Sequence, residues 1–173
     1  MDGRETEIKL LAQRPNAVRN RLLSLGAKLY RRRHFEDNFV FDFDDGRLKR
    51  SGLLLRLRVT QGKSTLTFKG PSRVMARTRS RREVETEVHE GSEILRILVL
   101  LGLRCRFRYQ KFRTTYRKGV TLITIDETPI GTYLEIEGTR GSIRRLAQAA
   151  RAAEVATLGH RASQLENPAS VRS

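Results

Sequence analysis

The stretch Leu55-Arg56-Leu57-Arg58-Val59 sets an aliphatic residue against an arginine at every second position. Side chains alternate across a β-strand, so Arg56 and Arg58 share one face while Leu55, Leu57 and Val59 take the other. The stretch belongs to Leu53–Thr60, which pairs with Ser64–Lys69 as a hairpin around Gln61-Gly62-Lys63. The same period of two runs outward in both directions. In residues 4–11, Glu5, Glu7 and Lys9 share a face. Residues 28–43 are extended, with Phe35, Phe39, Phe41 and Phe43 mostly on one face. In Arg81–His89, Arg81, Glu83, Glu85 and Glu87 oppose Val84, Thr86 and Val88. Strands at 104–117, 120–127 and 132–138 carry Lys111 with Arg113, Thr124 with Asp126, and Glu135 with Glu137, the last pair opposite Leu134 and Ile136.

Helical signals are few. Pro15 opens a helix over 16–25 that Gly26 stops. Ser92 is placed to cap an apolar helix over 93–101, closed by Gly102. An alanine-rich helix begins near Ser142, residues 72–80 read as a basic loop, and the tail from Asn167 is polar. The expectation is one domain over residues 1–166 followed by a disordered tail over 167–173. Its fold class is mainly β (α+β). About eight strands joined by short turns predict an antiparallel sheet closed into a barrel, which removes its edges, with a few flanking helices.

Composition narrows the chemistry. The chain has 173 residues, of which 38% are hydrophobic, enough for a core in one domain. It has no apolar run of about 18 residues and no apolar N-terminal stretch, so neither a membrane span nor a secretory signal is expected. The single Cys105 suits a reducing cytoplasm and reads as a small packing residue. His34, His89 and His160 are scattered and read as surface residues, so cysteine or histidine metal chemistry is not expected. The net charge is +16, with 28 arginines and 7 lysines. Such an excess predicts a polyanionic partner, and arginine's fork of donors matches phosphate oxygens.

In a barrel, alternate residues point inward. The charged rows then face one another across an interior, acid pairs at both ends of the barrel sequence and paired cations between. Carboxylates two residues apart, about 6–7 Å along a strand, can converge with another strand's pair on a hard divalent cation such as Mg²⁺. The Arg and Lys rows can grip the remaining oxygens of a phosphate chain. No aromatic clamp for an organic group is visible beside these rows, which favours substrates whose organic group is small or absent. Against a plain nucleic-acid-binding barrel stand the acid pairs Glu5/Glu7 and Glu135/Glu137, which repel phosphates unless a cation intervenes. Arg31-Arg32-Arg33 and the run Arg77 to Arg82 read as solvated basic loops, and the phenylalanine row as core.

Glu5-Thr6-Glu7-Ile8-Lys9 resembles the ExExK motif that opens the CYTH family, which includes class IV adenylyl cyclases, thiamine triphosphatases and inorganic triphosphatases. The likeness continues in order over residues 4–138. It runs through Asp42 to Leu48, Leu55-Arg56-Leu57-Arg58, Leu66 to Pro71 around Lys69, and the acidic Arg81–Val88. It then passes through Lys111-Phe112-Arg113-Thr114-Thr115-Tyr116, Asp126, Gly131 and Leu134-Glu135-Ile136-Glu137. The resemblance implies an eight-stranded triphosphate tunnel with Mg²⁺ or Mn²⁺ inside. It places Glu5, Glu7, Asp126, Glu135 and Glu137 on the metal side. It gives Lys9, Arg56, Arg58, Lys69, Arg81, Lys111 and Arg113 the triphosphate grip. Glu85 and Lys111 are the catalytic candidates, Glu85 for a second-metal or water-positioning role, with Glu83 and Glu87 as alternatives in the same row. Relatives usually end in a helix with an aromatic-rich segment near the tunnel mouth, whereas this chain has no aromatic residue from Ala147 onward.

The expected function is metal-dependent hydrolysis of a triphosphate: inorganic tripolyphosphate, thiamine triphosphate or a nucleoside triphosphate. The alternative is a class IV adenylyl cyclase converting ATP to cyclic AMP and pyrophosphate. A further alternative is a non-catalytic basic barrel that binds nucleic acid. The expected partner is a small triphosphate-containing molecule, with no membrane, nucleic acid less favoured, and a homodimer left open.

Overall fold

The computed structural model describes the backbone of residues 4–75 and 78–165, with side chains from 5 to 74 and 78 to 155. Along the chain run β1 (Arg4–Leu11), α1 (Pro15–Ser24), β2 (Lys28–Phe43), α2 (Arg47–Arg50), β3 (Leu54–Thr60) and β4 (Lys63–Lys69). There follow β5 (Arg73–Met75), β6 (Thr78–Val88), α3 (Gly91–Leu100), β7 (Leu103–Lys118), β8 (Thr121–Thr128), β9 (Gly131–Glu137) and α4 (Arg140–Leu165). The sheet order is β1-β9-β8-β7-β2-β3-β4-β6-β5, and β6 also pairs with β1. Eight antiparallel strands therefore close into a barrel, with β5 a short addition on β6.

Closure depends on a segment that the sequence reads as a loop. Residues 78–82 are strand because β6 changes partner along its length. Glu83–Val88 pairs with β4, while Arg79–Arg82 pairs with β1, setting Arg81 opposite Glu5 and Arg79 opposite Glu7. Opposite charges in register favour that pairing. Arg73–Met75 completes a small hairpin on the same strand.

The apolar core lies outside the barrel wall, under the helices. On one side Ile8, Ile123, Ile125, Leu134 and Ile136 are buried against Val18 and Leu22 of α1 and Ile143, Leu146, Ala147 and Ala150 of α4. The helical residues recur at three- and four-residue spacings, so each helix presents one apolar stripe to the sheet. Pro15 stands in the first turn of α1, and the chain leaves that helix through Gly26 at φ 84°, a left-handed conformation that glycine adopts without strain. On the other side Phe41, Leu57, Leu98 and Leu103 are buried together, with Phe39, Phe43, Ile94 and Leu95 packed against them. The phenylalanine row is thus largely core on the outer face, although Phe35 is exposed. Asp42 ties α2 to the barrel by accepting backbone N–H bonds from Leu48 (2.9 Å) and Lys49 (3.0 Å).

Three local expectations change. The N-cap position of α3 is Glu90, not Ser92, because the helix already begins at Gly91. α4 begins at Arg140, and the Thr139 Oγ1 accepts the Ser142 N–H at 3.3 Å. Cys105 is exposed and not a packing residue. Its pairing with Phe41 is followed by a register shift to Phe107 opposite Val40, so one extra residue, Arg106, stands on β7 as a bulge. The tail from Asn167 lies outside the described residues. Among those described, no helix is long and apolar enough to cross a membrane.

Candidate functional site

The barrel interior is a cavity of about 1310 Å³. Every inward row contributes to it, because the pleat that buries Leu57, Leu134 and Ile136 under the helices turns their neighbours inward. Glu5, Glu7 and Lys9 enter from β1, Arg56 and Arg58 from β3, Lys69 from β4, and Arg81, Glu83 and Glu85 from β6. Lys111 and Arg113 enter from β7, Asp126 from β8, and Glu135 and Glu137 from β9. Glu87, the third acid of the β6 row, is exposed and does not line the cavity.

One flank is densely paired. Asp126 is fully buried and receives Lys111 Nζ at 2.7 Å and both Arg113 Nε and Nη2 at 2.6 Å. Arg113 Nη2 also donates to Glu135 at 2.6 Å, and Lys9 Nζ reaches the same carboxylate at 2.9 Å. Burial pushes the Glu135 carboxyl up, but Arg113, Lys111 and Lys9 outweigh it and hold it well below the usual range. Burial likewise opposes the Arg113 charge, and Asp126 and Glu135 override it, so the guanidinium titrates above its ordinary value.

The next rung of the β1–β9 pair carries surplus negative charge. Glu7 and Glu137 stand directly opposite each other on β1 and β9. Burial raises the Glu7 pKa, and the neighbouring Glu5 and Glu135 raise it further. Burial and then Glu5 raise that of Glu137. Lys69 Nζ is shared between Glu5 (2.9 Å) and Glu83 (2.6 Å). Burial and the hydrogen bond with Glu5 push the Glu83 carboxyl up to about 7; burial also raises that of Glu5, but Glu83 and Lys69 bring it below its ordinary value. Arg81 approaches Glu7 at 3.6 Å. From β3 and β4, Arg58 Nη2 donates to Glu85 at 3.1 Å, and Thr67 Oγ1 donates to the other Glu85 oxygen at 2.9 Å.

The donor set is hard oxygen, and the mutual repulsion of Glu5, Glu7 and Glu137 is what a divalent cation relieves, so these residues fit Mg²⁺ or Mn²⁺. Among the described residues no group of three or more His, Cys, Asp or Glu already converges on one point. The acids therefore border a space and do not form a closed cage.

Sequence reasoning missed several lining residues. Glu36 is 2% exposed, 3.5 Å from Lys111 Nζ and 4.0 Å from Arg58 Nη1. Burial pushes its carboxyl up, and Arg113, Lys111 and Arg58 bring it below the ordinary value. His34 is 5% exposed and not a surface residue: its Nδ1 bonds the Arg32 carbonyl at 2.8 Å and its Nε2 lies 3.4 Å from Glu36. Both alternate with the phenylalanine row, and that parity is the signal that could have found them. Arg31 also lines the cavity, bonded to Gln61 at 3.2 Å, because two register irregularities interrupt β2 between Leu29 and His34. Arg79 and Arg81 line it too, Arg79 with an exposed side chain, whereas Arg82 is exposed and does not; Arg77 lies outside the described residues. Phe107 and Tyr109, with Tyr30 and Tyr133, supply aromatic lining that the sequence does not reveal.

Fold and site together define a closed antiparallel barrel whose interior is lined by charged side chains. A family model described as the CYTH domain matches residues 3–165, and the chain belongs to the CYTH family. Members of this family are in general dependent on divalent metals, and their names imply a triphosphate substrate. A Methanocaldococcus jannaschii protein named "Putative adenylate cyclase" is 28% identical over 134 residues, 77% of this chain and 75% of the relative. Among solved structures, a "putative adenylate cyclase" from Vibrio parahaemolyticus aligns with a TM-score of 0.75 at 21% identity, over 87% of this chain and 90% of that one. A Hippeastrum protein, described as a "putative adenylyl cyclase" with a dominant triphosphatase activity, aligns with a TM-score of 0.62 at 22% identity, over 87% of each chain.

Proposed function

We propose that this protein is a divalent-metal-dependent phosphohydrolase that cleaves a triphosphate inside the tunnel. The observation that carries the reading is the division of the interior. Arg56, Arg58, Lys111 and Arg113 border a cavity that also holds Glu7 and Glu137, acids in direct register whose pKa values are raised although Arg81 approaches Glu7 at 3.6 Å. A polyanion alone would be repelled by those acids, and a metal alone would leave the cations unused.

Glu5, Glu7 and Glu137 would hold the metal, with Asp126 and Glu135 on the same side. When bound, Mg²⁺ or Mn²⁺ supplies electrostatic neutralisation of the phosphate oxygens. Arg56, Arg58, Lys69, Arg81 and Arg113 bind and straighten the phosphate chain, each charge-assisted contact also stabilising charge that develops on its oxygens. Glu85, oriented by Arg58 and Thr67, accepts a hydrogen bond from the attacking water and takes its proton as oxygen bonds to the terminal phosphorus. The bridging P–O bond breaks, and Lys111 donates a hydrogen bond to the leaving diphosphate oxygen. Water and triphosphate thus become orthophosphate and diphosphate.

The test incubates the protein with Mg²⁺ or Mn²⁺ and, separately, tripolyphosphate, thiamine triphosphate and ATP, and resolves products by chromatography. Orthophosphate release is expected, lost on exhaustive EDTA dialysis and in both Glu7→Gln and Glu137→Gln. Cyclic AMP with stoichiometric pyrophosphate would establish a cyclase instead, the activity that relatives' names carry. RNA binding without turnover of any triphosphate would leave a non-catalytic barrel.

A further inference from the structure

The tunnel accounts for little of the chain's charge. Its lining holds ten Lys or Arg residues and eight Asp or Glu, a surplus of +2 against a net charge of +16. The remaining +14 lies elsewhere, and it is unevenly placed. Six acids outside the cavity, Asp42, Asp44, Asp45, Glu87, Glu90 and Glu93, lie on or next to α2 and α3. Among the described side chains of α1 and α4 the one acid is Glu154, which accepts the Arg14 backbone N–H at 3.1 Å. Arg19 and Arg21 of α1 and Arg144, Arg145 and Arg151 of α4 are exposed, and among the described residues none of them pairs with a carboxylate.

The sequence of α4 dictates that placement. Ile143, Leu146, Ala147 and Ala150 bury one stripe against the barrel wall, so Arg144, Arg145, Gln148 and Arg151 take the solvent side. Helix α1 lies antiparallel beside it. Arg14 meets Glu154 at one end; at the other, Thr121 donates to Ser142 at 2.9 Å while Lys118, opposite Thr121, bonds the Leu25 carbonyl. At that end Lys28 also stands directly opposite Arg117, two exposed cations in register. Like charges so placed destabilise a strand pair, and a bound anion relieves them.

We propose that the α1–α4 side is a docking surface for the phosphate backbone of duplex DNA, bound without sequence preference and apart from the tunnel. Neither helix contains Phe, Tyr or Trp, so the bases of a single strand find nothing to stack on. The exposed large apolar side chains described on the two helices are Leu23 and Val155, too few for insertion into a lipid surface. Arg144 and Arg151 are about 10 Å apart along the helix, close to the width of the B-DNA major groove, about 12 Å. Arginines so spaced, with the polar Gln148 between them, reach phosphates on both edges of that groove. The major groove of duplex RNA is too narrow to admit the helix.

The experiment measures binding of a labelled mixed-sequence DNA duplex of two helical turns, about 20 base pairs, by fluorescence anisotropy across a salt series. The full chain is compared with the triple variants Arg144→Ala/Arg145→Ala/Arg151→Ala on α4 and Arg47→Ala/Lys49→Ala/Arg50→Ala on α2, and with Arg56→Ala in the tunnel. Circular dichroism checks folding. With five phosphate contacts, raising salt from about 50 to about 200 mM should weaken the wild type about 500-fold, and the α4 variant, left with two, only about tenfold. The α2 variant, which loses the same charge, and Arg56→Ala should keep the wild-type salt dependence. No binding at the lower salt, or an equal change in the α2 or Arg56→Ala protein, would overturn the surface. Tighter binding to single-stranded RNA, duplex RNA, or vesicles of phosphatidylserine and phosphatidylcholine would overturn the choice of DNA.

Discussion

Two successive inward rungs of the β1–β9 pair behave in opposite ways. At one, Lys9 faces Glu135, and the carboxylate is further held by Arg113, itself bonded to Asp126. At the next, Glu7 faces Glu137, two carboxylates in direct register. Like charges opposite one another destabilise a strand pair, and opposite charges stabilise it. The first rung is complete within the protein. The second is offset only in part, by Arg81 at 3.6 Å from Glu7, and it lies beside Glu5 and Glu83, which share Lys69. The β1–β9 pair thus presents two kinds of rung to the interior, one neutralised and the other acid-rich.

Breaking the complete rung should have the largest effect. Arg113→Met leaves Asp126, fully buried, and Glu135 short of their shared cation. Removing one partner of a buried ion pair costs about 3–5 kcal/mol. Urea denaturation should show a loss of that size, and Asp126→Asn added to Arg113→Met should cost much less than the sum of the two singles. Additive losses would mean that the network is not coupled.

The cations that border the open side come next. Arg56→Ala or Arg58→Ala should weaken triphosphate binding by about 1.5–3 kcal/mol per lost charge-assisted contact. Arg32→Ala, on an exposed side chain, should change it little. Equal effects from all three would point to diffuse attraction by net charge.

The acid-rich rung can be sharpened by pH. Glu7 and Glu137 titrate above 4.5, and Glu83 is pushed up to about 7. The folded state then holds protons that the unfolded chain has released, so metal-free stability should fall as pH rises from about 4.5 through about 7 and level off beyond. The lowered carboxyls, Glu135 and Glu36, act in the other direction and only as pH falls below their ordinary 4.5. Mg²⁺ should therefore raise the melting temperature more at pH 8 than at pH 5. Glu137→Gln should stabilise the metal-free protein at pH 8 by up to about 1 kcal/mol and abolish most of the Mg²⁺ effect. An Mg²⁺ shift that is the same at both pH values would place the metal elsewhere.

The smallest effect is expected outside the barrel. Arg33 and Glu127 form a 3.0 Å pair whose side chains are 51% and 41% exposed. Glu127→Ala should cost no more than about 1 kcal/mol, as read by thermal melting in low salt.

Alternation made the barrel and most of its interior legible. Leu55-Arg56-Leu57-Arg58-Val59 and Leu134-Glu135-Ile136-Glu137 each announce an apolar and a charged face, and a closed sheet under helices has one place for each. The reading failed where the backbone departs from strict alternation. The bulge at Arg106 turns Phe107 inward and leaves Cys105 exposed, and the irregularities between Leu29 and His34 bring Arg31 to the cavity. It also failed at Thr78–Ser80, read as loop, where Arg79 and Ser80 are strand by pairing with β1, a partner more than 70 residues away along the chain.

Local sequence determined most of the strands, which rows are charged, and that charged and apolar residues occupy alternate faces, because these depend on a period of two and on residue type alone. Only the tertiary structure decided which opposite charges meet. Arg113 is committed to Asp126 and Glu135, Glu7 is left facing Glu137, and Glu36 is drawn into the cationic centre. Those outcomes depend on strand register and barrel closure, which bring distant residues within Coulombic reach, and register is a property of the pair of strands and not of either one.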